Sequence, residues 1–289
     1  MTKPIFVAEV SSNHHQDINR CKAFIRASSD IGCDAVKFQL FKIDELFAPE
    51  ILSKSKKHQQ RKQWELPETF IPELSSYTHE LGLQFSCTPF YLGAVDVLEA
   101  HVDFYKIASY ELLWDDLIIA CAKTGKDVVL STGMATLPEI AHAVDVFKLH
   151  GQGELILLHA ISGYPTPVDQ ANLAAIDTLK KAFGVAVGLS DHSVSAAVVA
   201  RACHHWGATM VEFHLDLDQA GEEYASGHCW LPEQIQPVIA EIRAGSVADG
   251  SGEKTPALSE AGDRVWRADP RDGLRPFKRI RLNDLWQEE

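Results

Sequence analysis

Two histidines, two lysines and several carboxylates and hydroxyls stand at the ends of short apolar runs, at residues 6–9, 35–39, 84–88, 104–109, 185–192 and 209–214. Those residue types suit chemistry on a small anionic substrate. His192 and His214 close the last two runs. Two imidazoles from neighbouring strand ends can share one divalent ion while leaving positions for water and substrate. Glu212 precedes His214 by two residues and so shares its face of a strand. A carboxylate there can activate water or orient the ion's ligands; the alternative is an interior glutamate held by a lysine. Lys37 and Lys106 end two other runs, and a lysine inside a core needs a partner such as a bound phosphate or carboxylate. Ser109, Ser131, Thr132, Ser162 and Ser190 add hydroxyl donors at the same ends, although a single serine more often caps a turn.

Residues so distant in sequence meet only if the strand ends share a face. Runs at 5–10, 34–40, 83–88, 103–108, 127–132, 154–160, 185–190 and 209–215 read as strands. Amphipathic stretches near 18–31, 67–81, 91–100, 114–124, 137–150, 170–182, 194–206 and 232–243 read as the helices that follow them. This alternation predicts the α/β class, as a (β/α)8 TIM barrel in which all strand C-termini open on one face. An open doubly wound sheet is the alternative, because periodicity does not show closure. Residues 1–244 are assigned to the barrel and 245–289 to an arginine-rich, irregular C-terminal extension that is no separate domain. Its Arg264, Arg267, Arg271, Arg275, Arg279 and Arg281 favour docking on the protein's own acidic surface. The connection ELFAPEILSKSKKHQQRKQWELP is too long for an ordinary βα link and predicts a lid. Its Lys54, Lys56, Lys57, Arg61 and Lys62 either meet an anionic ligand or, more simply, form a solvated helix face.

Composition sets the outer limits. The 289 residues, 46% of them hydrophobic, can bury one large core. A formal charge of −13 argues against non-specific binding to nucleic acid or anionic lipid. No run approaches the ~18 apolar residues of a membrane span. MTKPIFVAEV is expected to enter a strand with no signal peptide. The six cysteines lack paired CxxC spacing and read as reduced thiols, so a cytoplasmic protein is expected. Walker, Gly-x-Gly-x-x-Gly and Gly-x-Ser-x-Gly motifs are missing, which argues against nucleotide binding and serine hydrolysis.

AEVSSNHHQD, DAVKFQLF, FSCTPF, YKIASYE, VVLSTGMATLPEI, ILLHAISGYPTP and VGLSDHS followed by VEFH together resemble the N-acetylneuraminate (sialic acid) synthase family. They run in order from residue 8 to about 214. Members of that family condense phosphoenolpyruvate with an N-acylated amino sugar aldehyde, giving a nine-carbon 2-keto acid and phosphate. The resemblance implies a TIM barrel and a divalent metal on His192 and His214, usually Mn2+, with Mg2+ or Co2+ as alternatives. It implies that Lys37, Thr88, Lys106, Ser109, Ser131 and Ser190 hold the phosphate and carboxylate of phosphoenolpyruvate. Ser162 stands where some members have Asn, and Glu212 matches the acidic residue beside the metal histidine. Glu9, Gln39, Glu111 and Tyr164 fall at positions associated with the sugar or the reaction centre. Glu9, Glu212, Lys37 and Lys106 are then the catalytic candidates.

Three departures bear on the acceptor. The chain ends before the small antifreeze-like domain that commonly lends an arginine to the partner subunit's sugar site. Where the family usually has Gly-Pro-Asp, this chain has Gly221-Glu222-Glu223, so Glu223 replaces the sugar-binding aspartate with a longer reach. ASGHCWLPEQ introduces His228 and Trp230, expected to rebuild that pocket. Self-association is implied by the family, with Arg267 or Arg271 as substitutes for the missing arginine. Two other functions stand beside the leading one: a synthase using another aldose or aldose phosphate, and a ligand-binding barrel needing a partner for turnover.

Overall fold

The computed structural model describes residues 3–283 and 285. These fall into two compact units, Met1–Ala248 and Asp249–Glu289. In the first unit, β1 (Ile5–Glu9), β2 (Ala35–Leu40), β3 (Gln84–Pro89), β4 (Phe104–Ile107), β5 (Asp127–Ser131), β6 (Leu155–Ala160), β7 (Ala186–Asp191) and β8 (Met210–Leu215) pair in sequence order, all parallel. Strand β8 returns to β1, from Ile5 opposite Met210 to Glu9 opposite His214. The sheet is therefore a closed barrel, and the open-sheet alternative falls.

Helices Ile18–Asp30, Ile71–Glu80, Leu92–Glu99, Asp115–Lys123, Leu137–His150, Ala175–Phe183, Ala196–His204 and Pro232–Ala248 follow the strands. Their ends carry ordinary stop and start chemistry. The Asp17 carboxylate accepts from the Asn19 amide, and the Glu139 carboxylate accepts from the backbone N–H and hydroxyl of Thr136. Gly184 takes a left-handed conformation after Phe183, the geometry that closes a helix. The helix predicted from 170 starts only at Ala175. Val168–Gln170 forms a 3-10 turn and Asn172 has φ 43°, a conformation an α-helix cannot include.

The barrel interior is layered by the two-residue period of its strands. Val7, Ala35, Phe104, Val129, Leu158 and Met210 form an apolar cluster. Two residues further along the same faces come Glu9, Lys37, Lys106, Ser131, Ala160 and Glu212. Gly188 lies opposite Leu158 in the apolar layer, and a Cβ there would lie 2.3 Å from the Met210 carbonyl oxygen. The larger cluster, with Phe24, Phe38, Leu74 and Phe85, lies between sheet and helices.

The long connection after β2 is not a single helix. It folds as single turns Ile43–Leu46, Pro49–Leu52 and Lys56–Gln60, followed by the 3-10 turn Arg61–Trp64. The Glu65 carboxylate accepts from the Ile43 amide at 2.7 Å, and Gln16 donates to the carbonyls of Lys62 and Glu65. A two-residue strand, β9 (Cys229–Trp230), pairs with the end of β8 beside His214. All six cysteines are free and buried. Among the described residues, no helix is long and apolar enough to cross a membrane.

Among its described residues, the second unit has the 3-10 turns Leu258–Glu260 and Asp263–Trp266 and the short helix Lys278–Leu282. The Asp269 carboxylate accepts from the amides of Arg271 and Lys278, Arg281 pairs with Asp272, and Arg267 lies over the Phe277 ring.

Candidate active site

The inward layer of charge opens into a cavity of about 630 Å3. Of the residues singled out in the sequence, Glu9, Lys37, Gln39, Lys106, Ser109, Glu111, Ser131, Tyr164, Ser190, His192, Glu212, His214 and Glu223 all line it. At its floor Glu212 lies 3.7 Å from both Lys37 Nζ and Lys106 Nζ, and Ser190 Oγ donates to it at 3.1 Å. Lys37 also contacts Glu9 and donates to Thr88 Oγ1 at 3.2 Å. Thr88 therefore sits behind the lining and acts through Lys37.

Burial governs the protonation of this cluster. It lowers Lys37 to about 8, opposed by Glu212 and reinforced by Lys106. It also lowers Lys106, against the pull of Glu212 and Glu111. Burial pushes the Glu212 carboxyl up, but Lys106, Lys37, His214 and His192 outweigh it and hold the group below the usual carboxylate range. Glu111, facing fewer cations, is raised to about 7 by burial, with Lys106 opposing. The floor is thus an ionised glutamate shared by two ammonium groups, an arrangement that an anionic ligand can enter by displacing the carboxylate.

Several polar atoms of the site have no partner of their own. Ser131 Oγ, Ser162 Oγ and Glu111 Oε2 are buried without hydrogen bonds. Buried donors in that state cost roughly 1–3 kcal/mol each unless a ligand or water satisfies them. Ser109 Oγ accepts from the Gly133 amide at 3.0 Å, and a Cβ on Gly133 would lie 2.4 Å from Ser162 Oγ and 2.8 Å from Ser109 Oγ. Gly133 lets these two hydroxyls approach each other. Thr132 differs, since its hydroxyl donates to the Leu158 carbonyl.

On the opposite wall, the rings of His192 and His214 are 5.4 Å apart, within reach of a shared ion. His192 Nδ1 donates to the Ile161 carbonyl at 2.8 Å, and His214 Nδ1 donates to Glu223 at 2.7 Å. Each ring is thereby fixed with its Nε2 lone pair free, the orientation that histidine ligands take when a carbonyl or carboxylate braces the other nitrogen. Burial, then His214, lowers His192 to about 3, so that imidazole is neutral and able to ligate. The donor set fits a divalent ion.

The family model described as NeuB family matches residues 24–254. The chain belongs to the NeuB family. An uncharacterized protein of Methanocaldococcus jannaschii is 39% identical over 89% of this chain and 76% of its own length. The N,N'-diacetyllegionaminic acid synthase of Campylobacter jejuni is 33% identical over 90% of this chain and 81% of its own. Among solved structures, the N-acetylneuraminic acid synthetase of Leptospira borgpetersenii, in complex with citrate, superposes with TM-score 0.79 at 29% identity, covering 90% of each chain. For this NeuB family member, the sialic-acid-synthase resemblance of the sequence motifs and the barrel are both shown.

Against that family pattern, some parts of the site were not foreseen. Ser11 and Ser12 hydroxyls donate to Glu223, and its neighbour Glu222 lines the cavity beside it. Of the basic cluster in the long connection, Arg61 alone lines the cavity, its guanidinium stacked over Phe47 and Trp64 at 5.5 and 5.6 Å. Lys54, Lys56, Lys57 and Lys62 are exposed, as a solvated face requires. Trp230 does not reach the cavity; its indole donates to Asp191 at 2.9 Å. His228 does line it.

Proposed function

We propose that this chain condenses phosphoenolpyruvate with an N-acylated amino sugar aldehyde, releasing phosphate and forming a nonulosonic 2-keto acid. The observation that carries the reading is Glu212 held between Lys37 and Lys106 on the floor of a cavity walled by His192 and His214. Membership of the NeuB family supports the reaction class. The names of the Campylobacter and Leptospira relatives support an amino-sugar-derived acceptor.

Lys37 and Lys106 take the phosphate and carboxylate charges of phosphoenolpyruvate, and Ser109, Ser131, Ser162 and Ser190 donate to their oxygens. Thr88 holds Lys37 in place. His192 and His214 would hold a divalent ion, and such an ion, when bound, polarises the aldehyde oxygen. C3 of phosphoenolpyruvate forms the new bond to the aldehyde carbon as the C2–C3 double bond opens, the aldehyde oxygen takes a proton to become a hydroxyl, and water adds at C2. Glu212, freed from the lysines as phosphate charge enters, or Glu9 accepts the water's proton. Collapse of the hemiketal breaks the C2–O bond, and the phosphate leaves with the lysines stabilising its charge. Arg61, Gln39, Glu111, Glu222 and Tyr164 face the acceptor's end of the cavity. The apolar walls of Phe47 and Trp64 beside Arg61 suit an acyl group whose carbonyl accepts from the guanidinium.

Phosphate release from phosphoenolpyruvate, measured with Mn2+ against acetamido sugars, plain aldoses and aldose phosphates, tests the reading. Release that depends on an N-acylated aldehyde supports it. Release with plain aldose phosphates alone favours the neighbouring synthase reaction instead.

A further inference from the structure

We propose that His228 is a third imidazole ligand for the divalent cation, alongside His192 and His214. His228 belongs to the segment that replaces the family's usual sequence after the metal histidine, and it is buried on the cavity wall at 6% exposure. Its Nδ1 atom is buried with no hydrogen-bond partner. A buried imidazole nitrogen in that state needs a proton acceptor, a donor or a metal.

The surroundings favour the metal. The His228 ring lies 5.1 Å from the His214 ring, and Tyr164 packs against His228 at 4.9 Å and His192 at 4.2 Å. Ligand atoms of His214, Glu223, His228 and Cys229 all fall within 4.8 Å of one another, a group that brings His228 together with His214 and does not include His192. One carboxylate oxygen, Glu223 Oε2, lies 2.7 Å from His214 Nδ1 and 3.6 Å from His228 Nε2. Glu223 therefore holds His214 by a hydrogen bond to Nδ1 and faces His228 Nε2 at ion-pair distance, leaving His214 Nε2 and His228 Nδ1 as the donating atoms. In this assignment Glu223 is a positioning residue, which accounts for its hydrogen bonds with Ser11, Ser12 and His214 at the cavity wall. Three imidazoles favour Mn2+, Co2+ or Zn2+ over Mg2+, because nitrogen donors suit the softer ions.

The inference concerns the cation of the proposed reaction, but its test needs neither substrate, so the two stand or fall separately. The full chain is stripped of metal and titrated with Co2+, and nitrogen couplings are counted by electron spin-echo spectroscopy on the Cu2+-loaded protein. Three coupled imidazoles in the parent chain, two in His228→Gln, and a Co2+ affinity weakened ~10-fold or more in that variant are expected. Glu223→Gln is expected to weaken Co2+ binding ~10-fold while retaining three imidazoles. Two imidazoles in the parent overturn the assignment, and that count requires no variant to fold. Unchanged Co2+ affinity in a folded His228→Gln overturns it as well.

Discussion

At the scale of single residues, the site is a problem of charge compensation. Glu212 neutralises two buried lysines, and its own carboxyl stays ionised because of them. Glu212→Gln keeps the shape but leaves Lys37 to Glu9 and takes from Lys106 the carboxylate it contacts. Turnover is expected to fall ~10²-fold or more. The variant is also expected to lose stability, because one partner of a buried ionic cluster is gone. Steady-state phosphate release and a denaturant melt check the two effects; near-parental turnover would assign the proton acceptor elsewhere, to Glu9. Glu111 poses the opposite case, with a folded-state value of about 7 against an ordinary 4.5. The folded chain then holds an extra proton between those values, so stability falls as pH rises through that window and stays lower above it. The full effect is at most about 3 kcal/mol. Glu111→Gln removes the penalty and should raise the melting temperature relative to the parent at pH about 8, with no advantage at pH about 4. An advantage independent of pH would contradict this.

At the scale of elements, strands and connecting segments divide the work. Gly133, just after β5, is expected to be intolerant. Gly133→Ala forces Ser109 and Ser162 apart and should raise the KM for phosphoenolpyruvate roughly tenfold, since donors must stay within hydrogen-bond reach. The acceptor KM should barely move. Arg61→Ala is expected to do the reverse, raising the acceptor KM roughly tenfold with phosphoenolpyruvate unaffected; equal effects on both substrates would remove Arg61 from the acceptor's end. The strand half of this site was legible in the sequence. The two-residue period that puts Val7 inside also puts Glu9 inside, and the same holds for Phe104 with Lys106 and Met210 with Glu212. The loop half was less legible. Arg61 resembles Lys57 and Lys62 in sequence, and only the stacking of its guanidinium on Phe47 and Trp64 turns it inward. Strand β9 is two residues long, below what alternation can reveal, so the placing of His228 beside His214 and the turning of Trp230 toward Asp191 were not readable.

At the scale of the whole molecule, an acidic chain concentrates its few interior cations at one mouth of a barrel. The formal charge of −13 disfavours anions in general, whereas Lys37, Lys106 and Arg61 admit one of the right size. Barrel closure does not depend on a metal, since β1 and β8 pair along their length and an apolar layer fills the interior. Chelation is therefore expected to abolish turnover while the far-ultraviolet circular dichroism stays that of a folded α/β protein. Collapse of the spectrum on chelation would make the cation structural instead. The central claim is the route by which phosphate leaves. It is tested most directly by supplying phosphoenolpyruvate with an isotopically labelled bridging oxygen, together with Mn2+ and an N-acylated amino sugar aldehyde, and weighing both products. Label in the released phosphate, with one 2-keto acid formed per phosphate, is the result predicted. Unlabelled phosphate, or phosphate released without the aldehyde, would contradict the account.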